Sequence, residues 1–182
     1  SDNTIWDPVG ASPPCPIGGP NGYIVIIDHE VTTNVNYCFA YQTIINKKLK
    51  VVSPTFGHNL GTVSGTGLIY LENGNLPAGT YDEFFDCSTG GGLEYGGAGN
   101  YSIIASLYNS IPKLFFTGSG TRVLPSKDLT ICDSLVINGP ILDNSVNNRK
   151  LTILGTFERL SGSFQAGSGA NATVSFSGTS PQ

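Results

Sequence analysis

The chain contains no Met, one Trp and only two His in 182 residues. Charge is scarce as well: 12% of the residues are Asp, Glu, Lys or Arg, about half the usual share. Nine Lys and Arg against thirteen Asp and Glu leave a net charge of −4, so there is no basic footprint for nucleic acid or an anionic membrane. No apolar stretch approaches the roughly 18 residues of a membrane-spanning helix. The four cysteines, Cys15, Cys38, Cys87 and Cys132, include no C-x-x-C pair, which excludes the usual structural zinc spacings. Neither His29 nor His58 accompanies a G-x-S-x-G nucleophile turn. The glycine cluster Gly90-Gly91-Gly92 leads to strand-like residues and not to a Lys at a helix start, so no phosphate cradle is present there. A non-catalytic protein with no resident cofactor is expected.

What is abundant is β-forming residues and turn formers. Hydrophobic residues make up 39% of the chain and Gly accounts for 24 positions, a composition far from that of disorder. Residues 1–22, with Pro13-Pro14-Cys15-Pro16 and Gly18-Gly19-Pro20-Asn21-Gly22, read as a lead-in or cap ending in a tight turn. Residues 23–182 then form a single unit of short strands. Tyr23 to Ile27, Leu49 to Val52, Leu68 to Leu71, Leu135 to Ile137 and Leu151 to Leu154 are typical, each bounded by Gly, Asn, Ser or Pro. One segment, Tyr101 to Leu114, has Ile103, Ile104, Leu107 and Tyr108 at spacings that suit a short helical turn ended by Ile111-Pro112. The fold class is all-β.

Two architectures compete, a β-solenoid and a β-sandwich. Sandwich strands are longer and joined by hairpins. Here similar phrases recur at about sixteen to twenty-two residues, as coils of a solenoid do. Gly61 to Gly67 is echoed by Thr117 to Thr121, and Leu135-Val136-Ile137-Asn138-Gly139 by Leu151-Thr152-Ile153-Leu154-Gly155. Thr173 to Gly178 gives a looser third copy. A β-solenoid is the favoured architecture.

Four scattered cysteines, no Met and many Asn, Ser and Thr favour an exported, extracellular chain with two disulfides. Three pairings are open; Cys15–Cys38 with Cys87–Cys132 is preferred because each would pin a loop onto a nearby layer. A chain opening at Ser1 is consistent with a leader already removed.

Thr117-Gly118-Ser119-Gly120-Thr121 with Leu124-Pro125, the Leu/Val/Ile-rich coils that follow, and Ala166-Gly167-Ser168-Gly169 before Val174-Ser175-Phe176 share a style. Together with Leu76-Pro77-Ala78-Gly79-Thr80-Tyr81, they resemble the repeat regions of secreted and cell-surface β-helical proteins of Bacteroidota. The resemblance covers about half the chain. It implies a right-handed parallel β-helix in adhesin-like or gliding-associated proteins exported by the type nine system. The four cysteines and the lack of a C-terminal sorting domain depart from that pattern and suggest one module of a longer chain, or a separately assembled component. The partners implied are other modules of the same surface protein or further copies of it. Asp133-Ser134-Leu135 is similar to the short motif at which such bacteria attach O-glycans, which makes Ser134 a glycosylation candidate.

Few residues suggest a ligand. Asp82, Glu83 and Asp86, with Glu94 further on, are the densest acidic group and offer hard oxygen ligands for Ca²⁺, although the spacing fits no EF-hand. Phe84-Phe85 between them read as core anchors, so a solvated turn is the simpler expectation. Tyr95, Tyr101 and Tyr108 are the nearest approach to an aromatic platform for a glycan, with core packing as the competing reading. Asp28-His29-Glu30 reads as a coil end, and Lys47, Lys48 and Lys50 as a solvated edge that discourages strand pairing between molecules. The resulting expectation is a structural stalk, spacer or self-assembling building block, with a module that binds glycan or surface polymer, with or without Ca²⁺, as the alternative.

Overall fold

The computed structural model of the chain describes residues 24–33, 36–52, 56–88, 90–103 and 108–178. The lead-in over residues 1–22, Cys15, Ile104 and Leu107 lie outside the described residues. Every strand pairing is parallel and no helix occurs among the described residues, so the chain is a right-handed parallel β-helix rather than a sandwich.

The coil has three faces. The first begins with β1 (Ile24–Ile27), β3 (Gln42–Ile45), β5 (Asn59–Ser64) and β7 (Ala78–Thr80), stacked in that order. The second runs through β2 (Val31–Thr32), β4 (Lys48–Val51), β6 (Leu68–Leu71), β8 (Gly92–Tyr95), β10 (Ser110–Phe116) and β12 (Leu129–Ile137) to β15 (Thr156–Arg159). The third stacks β9 (Tyr101–Ser102), β11 (Thr121–Val123), β13 (Ile141–Asp143) and β16 (Ser163–Gln165). The early parts of β10 and β12 stack with β14 (Leu151–Ile153) and β17 (Val174–Phe176), so one long strand can span a corner.

Side chains alternate across a strand, so each strand of three or four residues sends one or two inward. Stacking in register then builds apolar columns. On the second face Val31, Leu49, Ile69, Leu93, Leu114, Leu135 and Phe157 form a seven-rung column, at chain steps of 18, 20, 24, 21, 21 and 22 residues. All but the last are buried. A second column, Val51, Leu71, Tyr95, Phe116 and Ile137, runs beside it and ends at the exposed Arg159. A cation thus closes the column where the stack meets solvent, as a polar end suits a solenoid.

The corners set the true repeat. Gly118 and Gly139 both take left-handed φ values, +81° and +121°. A Cβ on Gly118 would sit 2.0 Å from the Gly97 carbonyl oxygen, and one on Gly139 2.1 Å from that of Gly118. These glycines follow one another at 21 residues because each coil turns the same corner directly over the last. The sixteen-residue echo noted in the sequence joins different faces: Leu135 stacks on Phe157, whereas Leu151 stacks on Leu129.

The short helical turn expected within Tyr101 to Leu114 falls largely on residues 104–107, which lie outside the described residues, and its flanks are not helical. Tyr101–Ser102 and Ser110–Phe116 are strands, and Pro112 ends nothing. It sits inside β10 at a register shift, where Cys132 and Asp133 of β12 lie opposite it. A bulge is where a residue without an N–H is tolerated within a sheet.

The step of 24 residues between Ile69 and Leu93 reflects an excursion after β7. Residues 81–88 make a turn in which the Phe85 N–H donates to the Tyr81 carbonyl at 2.9 Å. Tyr81, Phe84 and Phe85 are buried there and pack on one another, and Tyr81 and Phe85 also meet Tyr108, with ring centroids 4.6–6.5 Å apart.

Candidate functional surfaces

The most heavily bonded polar side chain is one the sequence did not single out. Arg122 occupies a third-face column whose other members are Tyr101, Leu142 and Phe164, and it is fully buried. Its Nη1 donates to the Gly99 carbonyl at 2.6 Å. Its Nη2 donates to Gly96, Gly97 and Thr117 carbonyls at 2.9, 3.1 and 3.3 Å. The guanidinium lies 4.2 Å from the Tyr101 ring centroid. No carboxylate pairs with it among the described residues; corner carbonyls and an aromatic face take that role. It therefore acts as a clamp on the corners of two successive coils.

The three tyrosines do not form a surface platform. Tyr95 is fully buried, stacked 5.9 Å from Phe116, and its hydroxyl has no partner. That corrects its candidacy as a sugar-stacking residue, since a ring inside the column cannot meet a glycan. Tyr101 is half-buried and its hydroxyl donates to the Gly96 carbonyl at 2.7 Å; burial pushes its phenol pKa up to about 12. Tyr108 belongs to the separate cluster around Tyr81, where its hydroxyl accepts from the Tyr81 N–H at 3.3 Å.

Asp82, Glu83 and Asp86 point outward from the turn while Phe84 and Phe85 point in. Asp86 Oδ1 accepts from the Ser88 N–H and hydroxyl at 2.7 and 2.6 Å, and these bonds hold its pKa below the usual value. Glu94 is committed elsewhere, to Lys48 at 2.7 Å and Thr117 at 3.0 Å. Among the described residues no three His, Cys, Asp or Glu converge as a metal-ligand group. Ser134 is half-buried on β12, between Lys113 and Thr156 in the stack.

Cys87 and Cys132 are bonded to one another, with Cα atoms 5.7 Å apart. Cys38 is disulfide-bonded too, and the Cys15 end of the expected Cys15–Cys38 pair lies outside the described residues.

Among the described residues the early coils contain one buried titratable group. His58 Nδ1 accepts from the Cys38 N–H at 3.4 Å, and its Nε2 has no partner. It lines a small apolar cavity of about 50 Å³ with Val25, Ile27, Val31, Leu49 and Leu60. Burial holds its pKa below the ordinary 6.5. Folding therefore disfavours the imidazolium: above the unfolded pKa no penalty applies, and stability falls as pH drops through 6.5 towards the folded value. The urea midpoint of the early coils should decline from pH 8 to pH 5, and His58→Leu should flatten that part of the decline.

The last coil is open on its outer side. Its inward residues Phe157 and Phe164 are only half-buried, and Phe176 and Leu160 are 49% and 60% exposed. Phe157 touches both other rings, at 5.6 and 6.4 Å between centroids. The far edges of β15, β16 and β17 have no strand partner among the described residues.

No family model, curated protein or solved structure matches the chain.

Proposed function

We propose that this chain is a non-catalytic structural module of an extracellular, cell-surface assembly, a stiff β-helical spacer that carries or joins what lies beyond it. The observation behind this reading is the continuous second-face column of seven rungs, from Val31 to Phe157. Each rung is held to the next by backbone ladders and buried side chains, a construction that resists bending and local opening. The Cys87–Cys132 bond suits an oxidising compartment. Unpaired edges on the last coil give a place where further coils, in the same chain or another copy, can add in series.

Pulling the disulfide-intact protein from its two ends in a single-molecule instrument tests this. A spacer should resist and then yield in coil-sized steps, each releasing about 7 nm of extended chain. Smooth extension without resistance, as a flexible linker gives, would overturn the proposal.

A further inference from the structure

An open trough of about 570 Å³ runs along the corner between the first and second faces. Successive coils supply its walls: His29 from the first, Lys47 and Lys48 from the second, Thr66 and Leu68 from the third, Lys113 and Phe115 from the fifth. The fourth coil contributes Gly91 and Gly92 at the same corner, with no side chain to fill it. Gly92 lies between Leu68 and Lys113 in the stack, and a Cβ there would come within 2.5 Å of the Lys113 Cβ. Lys48 and Lys113 stand three rungs apart in one column, about 14 Å.

The charges in the trough are unevenly compensated. Lys48 is paired with Glu94, and Glu30 with Lys50 at 2.6 Å. Asp28, at the first-coil end, accepts from the Asn46 side-chain amide at 2.6 Å. Lys113 donates only to the Thr66 carbonyl, at 3.2 Å, and neither it nor the exposed Lys47 meets a carboxylate among the described residues. His29 Nε2 is shielded from solvent and has no hydrogen-bond partner. Two cations several rungs apart with no carboxylate partner, hydrogen-bonding groups of both kinds beside Lys47, and a half-buried outward ring on Phe115 beside Lys113 match a linear polymer that carries spaced carboxylates and hydroxyls.

We propose that this trough binds a short run of acidic polysaccharide, a uronate-containing glycan. Its carboxylates meet Lys47 and Lys113, its hydroxyls meet Asn46 and Asp28, and one sugar face lies on Phe115. The site is distinct from the tyrosines considered above, and it stands or falls independently of the spacer reading.

The test is a titration of the isotope-labelled, disulfide-intact chain followed by amide chemical shifts. The probes are trigalacturonate, the neutral trisaccharide cellotriose and hexaglutamate. Trigalacturonate should give saturable shifts confined to residues 28–30, 46–48, 66–68 and 113–115, weakening as salt is raised. The double variant Lys47→Gln/Lys113→Gln should bind it about tenfold more weakly, two modest ion pairs' worth, with an otherwise unchanged spectrum. No shift at millimolar trigalacturonate, an equal response to cellotriose, or shifts centred elsewhere would overturn the proposal. Tighter binding of hexaglutamate would overturn it in favour of an acidic peptide.

Discussion

Replacing Arg122 by Leu should cost about 3 kcal/mol. The change leaves the carbonyls of Gly99 and Thr117 without the donor that now satisfies them inside the corner. Gly96 and Gly97 each keep one donor, the Tyr101 hydroxyl and the Ser119 N–H. Removal of a buried cation recovers some desolvation energy, so the loss is smaller than the sum of four charge-assisted bonds. For a chain of this size 3 kcal/mol corresponds to a fall of about 6–12 °C in Tm. Arg122→Lys should be intermediate, since an ammonium on a flexible stem cannot hold the planar fork that reaches four carbonyls. Hydrogen exchange should locate the damage, because coils in a solenoid depend mainly on their neighbours. Protection should fall first at residues 96–103 and 117–123. An Arg122→Leu variant with parental Tm and unchanged exchange would mean the clamp contributes nothing.

The repeating part of this fold is legible in the sequence, and its phase is not. Runs such as Leu49-Lys50-Val51 and Leu135-Val136-Ile137 announce short strands, and their recurrence announces coils. Local apolar phrases look alike on every face, however, so matching Leu135 to Leu151 aligns two faces of consecutive coils. The glycines carry the phase: Gly97, Gly118 and Gly139 mark one corner at steps of 21 residues, and only a left-handed corner demands them. Arg122 escaped notice for a related reason. It sits in Thr121-Arg122-Val123 as an ordinary strand cation, and the carbonyls that hold it belong to turns up to 26 residues earlier in the chain. Tyr95 shows the converse: close in sequence to Tyr101, it faces into the column, because a strand's alternation and not proximity decides which side a ring takes. The trough was equally hidden, since its cations come from coils whose members lie tens of residues apart in sequence.

The second large effect should come from the Cys87–Cys132 bond. Cys87 belongs to the excursion that precedes β8 on the fourth rung, and Cys132 to the bulge of β12 on the sixth. The excursion leans on β10 of the fifth rung to reach it: a Cβ on Gly90 would meet the Pro112 ring at 2.4 Å. The bond therefore straddles one entire coil. Closing a loop across a separation of 45 residues stabilises the fold by about 4 kcal/mol in the chain-entropy account. The double variant Cys87→Ser/Cys132→Ser should lose most of that, and its exchange protection should fall over residues 90–95 and 110–137 while β1 to β4 keep theirs. Pulling gives a sharper reading. With the bond intact, the 45 residues it encloses cannot extend, so full unwinding should fall short by about 15 nm of chain, and the double variant should recover that length. An equal extension with and without the bond would mean that the middle coils are not held by it, and that the stiffness of this stretch comes from the ladders alone.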